Sequence, residues 1–196
     1  MILSRSFKKI IISVLITAVV CALVINGIPA VLKVIYPIRY KEYVLKYSEI
    51  YNVDPYLVFS MIKAESNFDA NALSNRNARG LMQITDTTGK WIAQKLKVED
   101  FTVSDLYEPE TNIKFGCWYI NFLKYREFKD ANEDENKTAL IIMSYNGGSN
   151  NVKEWIKRNG SYELTYEQIP FKETRNYLKK VRDYNVMYKK LYREII

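Results

Sequence analysis

The chain has 196 residues, 48% of them hydrophobic, enough for one ordinary domain with a real core and something further at one end. It has no histidine, and its two cysteines are Cys21 in an apolar N-terminal run and Cys117 alone in the remainder. This excludes a disulfide within the domain, a Ser–His or Cys–His couple and a His-ligated zinc site, and leaves carboxylates, hydroxyls and amides to carry any chemistry.

The net charge of +7 is unevenly spread: residues 1–36 carry +4 with no acid, and the rest holds 25 basic and 22 acidic residues. A domain of +3 has an ordinary soluble surface, so the reading is no nucleic acid. Arg5, Lys8 and Lys9 precede Ile10–Leu32, which is apolar apart from Ser13, Thr17 and Asn26. About 20 apolar residues match a bilayer core. Residues 1–36 therefore read as an uncleaved signal-anchor, a transmembrane helix meeting the membrane through residues 10–32, and 37–196 as the domain it carries. A cleaved signal peptide is the alternative, but Ile28-Pro29-Ala30 is no small-x-small site. Val20 before Cys21 is too large for a lipoprotein signal. Lys33, Arg39, Lys41 and Lys46 follow the span, so charge alone does not orient it.

After residue 36 the periodicity is helical, with few strand signals. A first amphipathic segment, 40–51, is broken by Asn52-Val53. Asp54-Pro55 reads as an N-cap followed by proline at the first helical position, opening a helix to Glu65 or Ser66. Asn67 to Arg79 is polar and predicts a loop. Helices are predicted over 87–96, 110–127, 137–146, 150–158 and 170–193, with an exposed turn over Lys129 to Lys137. The fold class is mainly α.

Val58, Met61, Ile62 and Glu65 share one face of the helix after Pro55, with Lys63 pointing elsewhere. Glu65 thus leaves an apolar stripe at a helix C-terminus. Desolvation and the negative end of the helix dipole both raise a carboxyl pKa there, as a general acid requires. Geometry alone leaves the plainer reading of a solvated helix-end carboxylate open. In the last helix Glu173, Tyr177, Val181, Tyr184, Tyr188 and Leu191 form an inner stripe, with Lys172, Lys179 and Lys180 on other faces. An acid at Glu173 also suits the first turn of a helix.

Glu65-Ser66-Asn67-Phe68, then Ala72, Ser74 and Ala78-Arg79-Gly80-Leu81-Met82-Gln83-Ile84, resembles the core of the soluble lytic transglycosylase family. Pro109-Glu110-Thr111-Asn112-Ile113 with Gly116 and Tyr119, Ser144-Tyr145-Asn146-Gly147-Gly148, and Ile169-Pro170-Phe171-Lys172-Glu173-Thr174 with Tyr177 are similar to its later blocks, in order. The resemblance covers roughly 42–192. It implies a lysozyme-like, mainly helical domain with a groove for glycan strands of peptidoglycan. By it, Glu65 is the single acid/base of a non-hydrolytic cleavage between N-acetylmuramic acid and N-acetylglucosamine that leaves 1,6-anhydro ends. Hydrolytic glycosidases usually use two carboxylates, and Asp69 is not assigned as a second.

The resemblance also places Ser74, Gly80, Met82, Gln83, Tyr145, Asn146, Glu173 and Tyr177 at the substrate. Ser74 and Gln83 would hydrogen-bond the reacting sugar. Tyr145 would offer a ring and a phenol donor, and Gly80 a close backbone approach. Core packing is the competing reading for Met82, Leu81, Ile84 and Tyr145. Ser144 and Gly147 stand where the family usually has alanine. Asp86, where it often has proline, is expected to cap the next helix. No metal or organic cofactor is implied. The expected setting is the outer side of the cell membrane, single-pass, with a cell-wall or secretion machinery partner. A goose-type muramidase and a non-catalytic glycan-binding module are the rival readings.

Overall fold

Continuous apolarity makes the first element, α1 (Arg5–Ile35), one 31-residue helix. The computed structural model describes residues 5–131 and 135–193. The chain divides into two compact units, Met1–Pro37 and Ile38–Ile196. Within the first, Lys8–Ile35 is long and apolar enough to cross a membrane, and its apolar side chains are exposed within the unit. Thr17 returns its hydroxyl to the Ser13 carbonyl at 3.0 Å, satisfying that group inside the helix.

The second unit begins with α2 (Lys41–Tyr51), stopped by Asn52 in the left-handed conformation. Asp54 then caps α3 (Pro55–Glu65), its Oδ1 accepting from the Tyr56 N–H at 2.8 Å, with Pro55 in the first turn as expected. The sequence suggests one apolar stripe on α3, whereas Leu57 through Lys63 are all buried. A helix apolar on every side belongs in the centre of a core. Lys63 is buried along its stem, and its Nζ reaches Asn67 Oδ1 at 3.1 Å over the Tyr184 ring.

The polar stretch after Glu65 is a loop, and its end pairs as a minimal hairpin, β1 (Ala78–Arg79) with β2 (Ile84–Thr85), Ala78 opposite Thr85. The next helix, α4 (Asp86–Leu96), is capped by Thr85, whose side chain accepts from the Thr88 N–H at 3.2 Å. This corrects the expectation for Asp86. It lies in the first turn and takes Arg79 in a two-pronged ion pair at 2.6 and 3.2 Å. A short 3-10 turn (Val103–Tyr107) leads to α5 (Pro109–Phe122), which loosens into a π-helical turn over Leu123–Glu127.

Then come α6 (Glu135–Gly147), α7 (Ser149–Asn159), a 3-10 turn (Tyr166–Gln168) and α8 (Lys172–Leu191). Of the expected turn over Lys129 to Lys137, residues 132–134 lie outside the described residues. Lys137 is buried on α6 rather than exposed in a turn. The core is α3 packed on α8, with α6 beside α8 and α2 against α5. Val58, Phe59, Met61, Ile62, Val181 and Tyr188 are its most enclosed members on α3 and α8.

Candidate active site

Glu65 ends the buried helix, and the chain must turn at once. It does so with Asn67 and Phe68 both in the left-handed region, at φ 51° and 66°. For a bulky residue such a backbone costs about 1–3 kcal/mol and persists only when its surroundings over-determine it. Here the Phe68 ring is buried against Phe59, with centroids 6.4 Å apart. Ser66 Oγ donates to the Leu81 carbonyl at 2.8 Å, tying the end of α3 to the hairpin.

The Glu65 carboxyl is pushed up to about 7. Burial is the largest cause; Tyr177 and the Lys180 charge pull the other way, and the Glu173 charge adds to the rise. Tyr177 Oη is itself buried and faces the carboxyl, and its hydrogen-bonding influence favours the ionised form of Glu65. Lys180 was expected on another face of its helix. It is exposed, and its long side chain still lets Nζ donate to the Ala64 carbonyl at 2.9 Å, one residue before Glu65. Burial also raises the Tyr145 and Tyr177 phenols well above their usual range, so both stay neutral.

The hairpin turn is clamped from two sides. Asn112, fully buried on α5, accepts from the Met82 N–H at 2.7 Å and donates to the Arg79 and Leu106 carbonyls at 2.9 and 2.7 Å. Both ends of its amide are thereby used. From α6, Tyr145 donates to the Met82 carbonyl at 2.8 Å. In the sequence Asn112 is only one residue of a motif, because no periodicity distinguishes a buried polar hub from a surface asparagine.

Other predicted residues are placed as follows. Met82 is fully enclosed, and its thioether fills the space that the missing side chain of Gly116 leaves, so its side chain is core rather than substrate contact. Gly80, at φ 72°, does permit a close approach, but of the Leu106 carbonyl and the Asn112 amide rather than of a ligand. Ser74 Oγ accepts from the Arg76 and Ala78 N–H groups at 3.2 and 3.0 Å, shaping the loop. Gln83, at φ 48°, gives its Nε2 to the Ala72 and Gly80 carbonyls at 3.2 and 2.9 Å. Asn146 Oδ1 accepts from Thr174 Oγ1 at 2.8 Å, joining α6 to α8. Glu173 is exposed and lies 3.6 Å from Arg76 Nη2.

Tyr145, Tyr177 and Glu173 thus interact electrostatically with the Glu65 carboxyl, while Ser74, Gly80, Met82 and Gln83 spend the contacts described on shaping the loop and hairpin. Such a site can hold one proton near neutral pH and hand it to a ligand oxygen.

Comparison with known proteins adds the relatives. The family model described as transglycosylase SLT domain matches residues 42–167. The chain is 31% identical over 156 residues to a putative soluble lytic murein transglycosylase of Haemophilus influenzae, covering 78% of this chain and 25% of that protein. It is 28% identical over 169 residues to the membrane-bound lytic murein transglycosylase C of Edwardsiella ictaluri, covering 78% and 47%. Among solved structures, the 70 kDa soluble lytic transglycosylase of Escherichia coli superposes with a TM-score of 0.71 at 25% identity, over 81% of this chain and 25% of that one. An inactive glutamate-to-glutamine mutant of the lytic transglycosylase Slt of Pseudomonas aeruginosa gives 0.69 at 25%, with the same coverage. The chain therefore spans between a quarter and about half of the length of these relatives.

Proposed function

The chain belongs to the transglycosylase SLT domain family, and we propose that it is a peptidoglycan lytic transglycosylase in which Glu65 alone serves as acid and base. The observation that carries this is the Glu65 carboxyl itself, held at about 7 by burial at the end of α3. Protonated, it gives its proton to the glycosidic oxygen between N-acetylmuramic acid and N-acetylglucosamine, and that bond breaks. As carboxylate, it takes the proton of the muramoyl 6-hydroxyl while that oxygen closes onto C1. The product is a 1,6-anhydro ring, no water is consumed, and Glu65 ends as it began.

The other carboxylate whose charge Glu65 senses is Glu173, which is turned to solvent beside Arg76. That placement suits substrate orientation better than nucleophilic attack. Tyr177, whose phenol favours the ionised form of Glu65, is the donor that would steady the Glu65 anion between the two proton transfers. That a glutamate-to-glutamine change gives the inactive form of the Pseudomonas relative accords with a glutamate acid. In this reading Ser74, Gln83, Tyr145 and Asn146 line one and the same cleft.

The test is product analysis. Purified peptidoglycan digested with the full chain should yield anhydromuramoyl ends by mass spectrometry. Reducing muramic acid ends would instead make it a muramidase. Glu65→Gln should lower turnover by roughly 10²–10⁴-fold while retaining strand binding.

A further inference from the structure

Burying aromatic rings is favourable, so neighbouring tryptophans left part-exposed invite explanation. The chain has three. Trp155 is buried, whereas Trp91 on α4 and Trp118 on α5 are only half-buried and meet edge to face, 5.2 Å between centroids. Tyr119 and Phe122, also half-buried, complete the group. Phe122 lies within 18° of parallel to Trp118 and within 12° of parallel to Tyr119. Trp91 stands nearly upright against Tyr119 and Phe122, at 88° and 83°.

On the same helix Cys117, Ile120 and Leu123 are enclosed. The half-buried rings therefore form a second face of α5, distinct from its core face. This face is continuous with the Glu65 site. Tyr119 packs on Tyr145 at 5.5 Å, and Tyr145 is the residue whose hydroxyl holds the Met82 carbonyl.

We propose that Trp91, Trp118, Tyr119 and Phe122 form a stacking platform for sugar rings of the glycan strand, beyond the sugars that flank the cleaved bond. The proposal rests on reading the Glu65 groove as a glycan cleft. A β-1,4-linked pyranose directs its hydroxyls outward and leaves apolar C–H faces, which aromatic rings cover while the hydroxyls stay in water. Ring faces recognise a repeating sugar rather than one substituent. The platform therefore confers preference for long strands over short ones.

The full chain carrying Glu65→Gln, in detergent micelles, is titrated with peptide-free glycan fragments from disaccharide to octasaccharide, followed by tryptophan fluorescence and calorimetry. Affinity should rise with length until the fragment spans the platform. Trp91→Ala and Trp118→Ala should each weaken the octasaccharide by about tenfold and the disaccharide far less, with Trp91→Phe recovering most of the loss. Retained disaccharide binding shows that the variants fold. Equal weakening at every length, or a tryptophan signal that follows protein concentration rather than glycan, would overturn the platform. A wild-type chain that cleaves no strand yet keeps the length step would sink the cleavage reading and leave the platform standing.

Discussion

At the scale of single residues, Glu65 trades stability for a usable proton. Its carboxyl has an ordinary value of 4.5 and a folded value of about 7. Between those two pH values the unfolded chain releases a proton that the folded chain keeps. The stability tied to the protonated form is therefore complete below 4.5 and is lost as pH rises through 7. Glutamine carries no such burden. Glu65→Gln should thus raise stability over wild type by about 2–3 kcal/mol at pH 8 and by nothing at pH 4, measured by thermal unfolding of the two proteins at both pH values. A gain of equal size at both would mean that packing, not charge, sets the effect.

The neighbouring charges test the same carboxyl from opposite sides. Lys180 favours its ionised form and Glu173 disfavours it. If activity needs the protonated acid, it falls as pH rises through the Glu65 pKa. Lys180→Met should therefore move the alkaline limb of the kcat/KM profile upward, and Glu173→Gln should move it downward. Because Lys180 and Glu173 are exposed, both displacements should shrink with added salt. Limbs moving in the same direction would remove these residues from control of Glu65.

At the scale of elements, α6 carries a cost that the usual alanine would avoid. Ser144 is fully buried, and its Oγ has no hydrogen-bond partner among the described residues. A buried, unsatisfied hydroxyl is unfavourable, so Ser144→Ala should stabilise the protein by about 1 kcal/mol, read as a higher denaturant midpoint at unchanged slope. The converse holds three residues on. An alanine Cβ at Gly147 would come within 2.9 Å of Thr174 Oγ1, disturbing the hydroxyl that binds Asn146.

Elements of this kind differ in how far a sequence reveals them. The helices after residue 36 are legible because each is long enough to show its period, and Asp54-Pro55 marks a start that the cap geometry repeats. The two-residue strands of the hairpin are too short to show alternation. The inward turn of Met82 depends on Gly116, far along the chain. The position of Glu65 at a helix end could be read from its own helix, while its role came from the ordered motifs that follow it. The reach of Lys180 to Ala64 could not be read, because it arises from the packing of α8 on α3. Asp86 misled for a local reason: Thr85, one position earlier, takes the cap, and Arg79 takes the carboxylate.

At the scale of the whole molecule, the question is what covers α1. A helix apolar on every side is stable in the core of a large protein or in a bilayer. The apolar side chains of α1 are exposed within its own unit, and the second unit fills its core with its own helices. At 31 residues the helix is ~46 Å long, more than a hydrocarbon core needs. Pro29 lies within it, and membrane helices tolerate an interior proline better than water-exposed ones do. A chain anchored in this way should stay with membranes through alkaline extraction, and removal of residues 1–36 should release residues 37–196 into the soluble fraction. Peptidoglycan lies outside the membrane, so protease added to intact wall-stripped cells should degrade the domain. Protection there, with degradation only after lysis, would overturn the extracytoplasmic placement expected from the sequence.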